Sequence, residues 1–222
     1  MFETSANQQE GCLLVAYSLG PANVMRNGKV LHEDGFLPLD GDWKNVLVAD
    51  KTDDGGTPIR ESAVNSGRWV DPTNAPTKAR YKGPVHQEPL DYNVFPRGTQ
   101  VVSNKFRMIV EALEPGVHQY LPVTVLRKGK PIAEMYILIV GARIDAANDA
   151  LCNPPRRGRR TYSLNTSPDW RCVLHPDKIA GHHLWHDKHR RGLFMSGTLA
   201  NALEAAELEG YKLGAPIEVS AG

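Results

Sequence analysis

The chain has 222 residues, of which 41% are hydrophobic and 23% are charged, and its formal net charge at pH 7 is +1. This composition is close to that of soluble globular proteins and excludes collagen-like, coiled-coil and wholly disordered chains. The longest apolar run, Met135 to Val140, is too short to span a bilayer, and no basic and apolar leader is present at the N-terminus. We therefore expect a globular protein of the cytoplasm without membrane contact, folded as a single domain over residues 1–222.

Cysteine usage agrees with a reducing compartment. The chain has three cysteines, Cys12, Cys152 and Cys172, and they show no CxxC spacing. An odd number without this spacing favours free thiols over a disulfide framework. Arg171 could depress the pKa of the neighbouring Cys172, but the apolar residues that follow it are more typical of an inert core cysteine. We do not predict a catalytic cysteine.

Charge is distributed unevenly along the chain. Residues 1–54 contain nine Asp or Glu and four Lys or Arg, whereas residues 143–191 contain ten basic and five acidic residues. Such a split indicates either two layers that attract each other or a basic surface for an anionic partner.

The N-terminal part, residues 1–92, is predicted to be β-rich and variable. Residues 12–19 are typical of a buried strand, and residues 44–49 next to Trp43 of a second strand. Residues 50–92 then lack periodicity and contain five prolines, so they form either an anchored excursion or a partly mobile segment. Its large apolar side chains are the candidate anchors: Trp69, Val70 and Tyr81.

Two segments of the C-terminal part, residues 93–222, share one pattern. Ser103 and Ser196 are each N-cap candidates followed by apolar residues at helical spacing, which predicts amphipathic helices at about 104–114 and 197–208. When the two serines are aligned, the apolar positions coincide. We expect both units to pack on the same sheet, but periodicity alone does not establish a duplication.

The strands around these helices complete the predicted fold. Residues 120–127 and 132–140 indicate a hairpin whose second strand is central because it is apolar on both faces. Val101 to Val102 and Leu193 to Met195 contribute further strands. The predicted class is α+β, with a mixed or antiparallel sheet flanked by two amphipathic helices and with long irregular loops.

Five of the eight histidines lie between His175 and His189. His182 and His186 would share a face on a helix, and His and Asp are acceptable zinc ligands. However, the segment has no HExxH motif, and Gly181 indicates a turn rather than a helix start. We predict no metal site, and we expect Leu184 and Trp185 to be buried within a polar turn.

A second cluster of charged residues is basic: Arg156, Arg157, Arg159 and Arg160. It has the composition of a phosphate-binding or localisation patch, but aromatic side chains for base stacking are not interleaved with it. A solvated loop or a loop facing an acidic protein is the favoured interpretation, and nucleic acid is not an expected partner. GxSxG, P-loop and GxGxxG motifs are absent, so we predict no catalytic residues and no cofactor.

Several stretches resemble a bacterial family of polymorphic-toxin immunity proteins, Imm family eleven. The resemblance covers roughly residues 90–213 and is carried by the following stretches: Phe95 to Ser103, Glu111-Ala-Leu-Glu-Pro-Gly-Val-His-Gln-Tyr-Leu-Pro-Val123, Gly181-His-His-Leu-Trp-His-Asp187, Leu193 to Leu203 and Leu208-Glu-Gly210. His186 stands where the family usually has Arg, and Gly197 where it has Asp after the capping serine. The motif residues Ser103, Trp185, Asp187 and Ser196 are retained, so we expect the fold to be retained as well.

The resemblance implies a non-enzymatic immunity protein that binds one cognate toxin. The four arginines at 156, 157, 159 and 160 and the polar N-terminal part are the expected contact surface, and homo-oligomerisation stays open. Two alternatives belong to other classes: a small metal-dependent hydrolase built on the 175–189 histidines, and a basic nucleic-acid binding module.

Overall fold

The structure is a computed structural model that describes residues 15–22, 25–26, 29–30, 35–83, 87–156, 158 and 171–220. The strands in chain order are β1 (Ala16–Pro21), β2 (Met25–Arg26), β3 (Lys29–Val30), β4 (Phe36–Pro38), β5 (Lys78–Tyr81), β6 (Tyr92–Phe95), β7 (Thr99–Val102), β8 (Gln119–Arg127), β9 (Lys130–Ile139), β10 (Arg143–Ile144), β11 (Val173–Leu174), β12 (Leu184–Asp187), β13 (Leu193–Ser196) and β14 (Tyr211–Val219). The α-helices are α1 (Asn104–Leu113), α2 (Pro176–Ile179) and α3 (Gly197–Ala205).

Sheet I has the strand order β4-β5-β8-β9-β7-β6. The predicted hairpin is β8 and β9, and the central position of its second strand is confirmed, because β9 pairs with β8 on one side and β7 on the other. Successive residues of β9 enter two different cores: Ile137 packs in one cluster and Leu138 in another, and both are almost fully buried. This two-sided burial explains why the strand is apolar on both faces from Met135 to Ile139.

The β8–β9 turn consists of two residues with positive φ. Lys128 has φ 48° and Gly129 has φ 79°, while Arg127 and Lys130 form the last strand pair. This is the pattern of a type I′ turn, whose twist matches that of the strands it connects.

Sheet II has the order β10-β12-β13-β1-β14-β11 and combines the two ends of the chain. β1 lies between β13 and β14 and is antiparallel to both. It begins at Ala16, so the strand predicted for residues 12–19 is displaced towards the C-terminus, and residues 12–14 lie outside the described part of the chain.

The two sheets repeat one arrangement. In sheet I, β9 lies between β7 and β8, and β5 runs parallel to β8; in sheet II, β1 lies between β13 and β14, and β11 runs parallel to β14. The strand registers of the two sheets also correspond. In the middle strand of sheet I, Tyr136 lies opposite Val102 and Pro122. In the middle strand of sheet II, Tyr17 lies opposite Met195 and Pro216. The difference is that the middle strand of sheet II comes from the N-terminus.

Strand β7 of sheet I leads into α1 and strand β13 of sheet II leads into α3, and a serine caps the N-terminus of each helix. Ser103 Oγ accepts the backbone N–H of Phe106 at 3.2 Å, and Ser196 Oγ accepts that of Leu199 at 3.1 Å. The two helices contact each other, and their apolar faces share one core with strands of both sheets. In the part of the chain that the structure describes, no helix is long and apolar enough to cross a bilayer.

The predicted α+β class agrees with this architecture, and the flanking position of the two helices is not confirmed. The fold has two six-stranded sheets instead of one, and α1 and α3 contact each other in a core that contains residues of both sheets. The expectation that both capped units pack on the same sheet is wrong, since β7 belongs to sheet I and β13 to sheet II. Helical periodicity identifies an apolar face but not the sheet that covers it.

The described residues of the 50–92 segment form an anchored excursion. Val70 and Tyr81 are buried, while Trp69 is 48% exposed and donates its indole N–H to the carbonyl oxygen of Val117. The segment also contributes β5. The strand predicted for residues 44–49 is wrong: a 3-10 turn at Trp43–Asn45 precedes a single bridge between Val48 and Val70.

Candidate functional site

A buried carboxylate joins the two sheets at the end of α1. Glu114 Oε2 accepts the backbone N–H of Leu184 in β12 at 2.8 Å and lies 3.0 Å from His118 Nε2. His118 Nδ1 accepts the N–H of Gly141 at 3.3 Å, so the proton of this ring is on Nε2, which donates to the carboxylate. Burial acts to raise the pKa of Glu114, but these bonds, with one from the backbone of His183, outweigh it and hold the pKa below its usual value.

Asp187 holds the loop after β12 through four backbone bonds. Oδ2 accepts the N–H groups of Ala146 and Ala147 at 2.9 and 3.1 Å, and Oδ1 accepts those of His189 and Arg190 at 2.7 and 2.8 Å. The side chain is almost fully buried, and burial raises its pKa against the effect of these bonds. With both oxygens engaged internally, Asp187 acts as a structural residue.

Trp185 is fully buried in sheet II. Its ring stacks on Phe194 at 6.1 Å between centroids with an interplanar angle of 15°. Leu184 next to it is also fully buried but enters the shared helix core instead, as expected for alternating strand positions.

The clustered histidines contact separate partners. Residues 184–187 form a strand, so His182 and His186 do not share a helical face, contrary to the premise of the zinc interpretation. His183 Nδ1 lies 2.8 Å from Ser196 Oγ, and His186 Nδ1 donates to the carbonyl oxygen of Gly192 at 2.9 Å. Burial and the nearby Arg143 lower the pKa of His186 to about 4, so its ring is neutral at pH 7. Among the described residues, no three His, Cys, Asp or Glu side chains are arranged to hold a metal ion.

Cys172 is a buried neighbour of Cys152. Its hydrogen bond to Cys152 and its burial raise the pKa of its thiol, which is the opposite of what a nucleophilic cysteine needs.

A solvent-open groove of about 490 Å³ lies between residues 57–66 and residues 186–191. Five cationic side chains line it: Arg60, Arg143, Lys188, Arg190 and Arg191.

Arg143 connects the two walls of this groove, because it pairs with His186 of β12 on one wall and its side chain binds the 54–66 segment on the other. Its Nε donates to Asp54 Oδ2 at 2.8 Å, and its terminal nitrogens donate to the carbonyl oxygens of Ser66 and Thr57 at 3.2 and 2.7 Å. Burial acts to raise the pKa of Asp54, but bonds from Arg143 and the backbone of Gly56 outweigh it and lower the pKa to about 2. The ion pair therefore persists at any physiological pH.

The predicted arginine loop starts beside the groove. Arg156 Nε lies 2.7 Å from Asp149 Oδ2, and Arg190 lies 3.3 Å from the other oxygen of the same carboxylate. Arg190 also donates to the carbonyl oxygen of Pro154. Three members of the predicted contact set lie outside the described residues: Arg157, Arg159 and Arg160.

The sequence model of one known family matches residues 40–215, and its description is Immunity protein family (Imm11). The chain belongs to the Imm11 immunity protein family. This confirms the resemblance given by the motifs and extends it towards the N-terminus, so that both walls of the basic groove lie within the matched region. A comparison with curated proteins finds no match.

Three residues of the family stretches in this Imm11 protein are buried and make internal contacts: Glu114, Trp185 and Asp187, the last of which also lines the groove. Arg60 and Arg191 in the groove are exposed. Sequence reasoning did not single out the groove or the role of Glu114. A signal for Glu114 existed, since it precedes His118 by four residues within the stretch Glu111 to Val123, but nothing local links Asp54 to Arg143.

Proposed function

We propose that this Imm11 protein neutralises a cognate bacterial toxin in the cytoplasm by direct, stoichiometric binding and without catalysis. The match to an immunity protein family over residues 40–215 carries the proposal. The internal engagement of Glu114, Asp187 and His183 supports it, because these polar groups stabilise the fold and are not presented to a substrate.

Protection would follow from occupying the active site of the toxin or the path of its substrate. A stable complex of this kind buries about 1,600 Å² in total and depends on a few central anchors, of which Arg is a favoured type. The proposed contact surface comprises the polar N-terminal part and the loop with Arg156, Arg157, Arg159 and Arg160.

Stoichiometry separates this mechanism from a catalytic one. The immunity protein and the toxic C-terminal domain encoded by a neighbouring reading frame are co-expressed from independently controlled promoters, and growth is measured against the amounts of both. A blocking protein protects only at or above equimolar amounts. Protection at strongly substoichiometric amounts would instead support an enzyme that reverses the damage.

The purified complex provides the second measurement. Light scattering after size exclusion should give one immunity chain per toxin domain, and the free protein run alongside reports any homo-oligomer. The hydrolase alternative is tested by metal analysis of protein purified without a histidine tag. One equivalent of zinc that is lost in the variant His182→Ala/His186→Ala would establish the metal site and favour the hydrolase.

A further inference from the structure

We infer that the basic groove between residues 57–66 and 186–191 is a docking site for an acidic segment of the protein partner. The inference rests on the proposed function and deepens it, since it assigns a surface and a partner chemistry. It starts from the five cationic lining residues in a chain whose overall net charge is only +1.

The groove is built before any partner arrives. Arg143 is 7% exposed and binds Asp54, Thr57 and Ser66 beside one wall. On the other wall it pairs with His186 of β12 and donates to the carbonyl oxygen of Lys188 at 3.5 Å. Asp187 orders the opposite wall through the N–H groups of His189 and Arg190. A preorganised site binds more tightly because less conformational freedom is lost on association.

Three of the five cations can reach an incoming carboxylate. Arg60 and Arg191 are exposed, one on each wall. Lys188 is partly exposed and donates to the carbonyl oxygen of Asp54 at 3.0 Å, which uses one of its three N–H groups. Arg143 and Arg190 are held by Asp54 and Asp149, so they contribute to the framework rather than to direct contacts.

The remaining lining fits a peptide better than a nucleic acid. Among the residues that the structure describes, no Phe, Tyr or Trp lines the groove, so this part of the chain offers no platform on which bases could stack. Pro58, Ile59 and Ala63 give one wall an apolar surface suited to aliphatic side chains.

Binding of a defined probe tests the chemistry. Fluorescein-labelled deca-glutamate is titrated with the full chain at 20 mM salt and followed by anisotropy. The variant Arg60→Glu/Arg191→Glu should weaken binding about tenfold or more, because like charges then face the peptide. The matched control is Lys128→Glu/Lys130→Glu, which changes the net charge equally at the β8–β9 turn and should leave affinity within about twofold.

Three results would overturn the inference. The first is that deca-glutamate does not bind saturably, and the second is that the groove variant Arg60→Glu/Arg191→Glu and the control variant lose affinity equally. The third is that a ten-nucleotide oligothymidine binds more tightly than deca-glutamate and that the groove variant abolishes this binding. The last result would assign the groove to nucleic acid. Thermal melts of all variants establish that they are folded, and Arg60→Ala/Arg191→Ala provides a milder change at the same positions.

Protection from the toxin domain separates this inference from the proposed function. If the native chain protects at equimolar amounts and the groove variant does not, while the control variant does, both proposals stand. If the groove variant protects as well as the native chain, the docking site is wrong and stoichiometric immunity stands. If the native chain protects at strongly substoichiometric amounts, the blocking function itself fails.

Discussion

Arg143 Nε in β10 lies 2.8 Å from Asp54 Oδ2, although 89 residues separate the two in the chain. The same guanidinium binds the carbonyl oxygens of Thr57 and Ser66, so one side chain holds the 54–66 segment against sheet II. The wall of the basic groove therefore depends on a contact that crosses from the N-terminal part to the C-terminal part.

Replacing Asp54 by Asn should lower the free energy of unfolding by about 1 kcal/mol at pH 7, less than the pKa shift alone implies because water screens part of the interaction. The folded pKa is about 2 and the ordinary value is 3.8, so the carboxylate stabilises the fold above pH 4. This contribution is lost as the pH falls towards 2. Urea unfolding of both proteins between pH 7 and pH 2 should show the difference shrinking below pH 4.

The exposed Glu88 provides the control for that experiment. Glu88→Gln should have a free energy of unfolding within about 0.5 kcal/mol of the native value at pH 7. A difference between Asp54→Asn and the native chain that stays constant down to pH 2 would contradict the assigned ion pair.

Replacing Glu114 by Gln should destabilise the protein by about 2 kcal/mol, because a buried amide NH₂ group is then left without an acceptor. Oε2 accepts from both His118 and the backbone of Leu184, so an amide oxygen at that position places the NH₂ group where Oε1 lies, buried and without a hydrogen-bond partner among the described residues. Urea unfolding measures the change. The exposed Glu204, changed to Gln, should have a free energy of unfolding within about 0.5 kcal/mol of the native value; equal effects of the two variants would remove Glu114 from the framework.

Trp185→Ala should cost about 3–5 kcal/mol through the cavity it leaves beside Phe194. Trp69 is the matched control, since it is 48% exposed and donates one hydrogen bond to Val117. Trp69→Ala should cost about 1 kcal/mol. Chemical denaturation of both variants decides the matter, and similar midpoints would mean that Trp185 contributes little to the core.

Replacing Arg156, Arg157, Arg159 and Arg160 by Ala should slow association with an acidic toxin surface at low salt and change dissociation less. Because Arg156 is paired with Asp149, a second variant keeps Arg156 and changes the other three. Stopped-flow association at low and high salt measures the effect. Unchanged rates in both variants would exclude the loop from the interface.

The local features of the fold were accessible from sequence. Helices α1 and α3 begin after Ser103 and Ser196 as predicted, because a cap and the spacing of apolar residues act within a few residues of each other. The β8–β9 hairpin was predicted for the same reason, since its turn at Lys128 and Gly129 and the adjacent strands are contiguous in the chain.

Pairings between distant segments required the tertiary structure. The strand predicted at residues 44–49 did not form, although Val46 and Val48 are buried, because burial of apolar side chains does not require a ladder partner. The candidate site is similar: the sequence indicated an excess of basic residues between 143 and 191 but could not show that Arg60 faces them across a groove.

The amino-acid sequence by itself determined the family, the two capped helices and the central apolar strand, because motifs, caps and periodicity are properties of short stretches. The tertiary structure decided that β1 from the N-terminal part pairs with β13 and β14 from the C-terminal part. It also decided that Glu114 accepts a hydrogen bond from Leu184 and that Asp54 forms an ion pair with Arg143. Such contacts form where two already formed surfaces bury each other, and many pairs of residues in one sequence are chemically able to make them. The choice among those pairs depends on packing of the whole chain, so no local pattern encodes it.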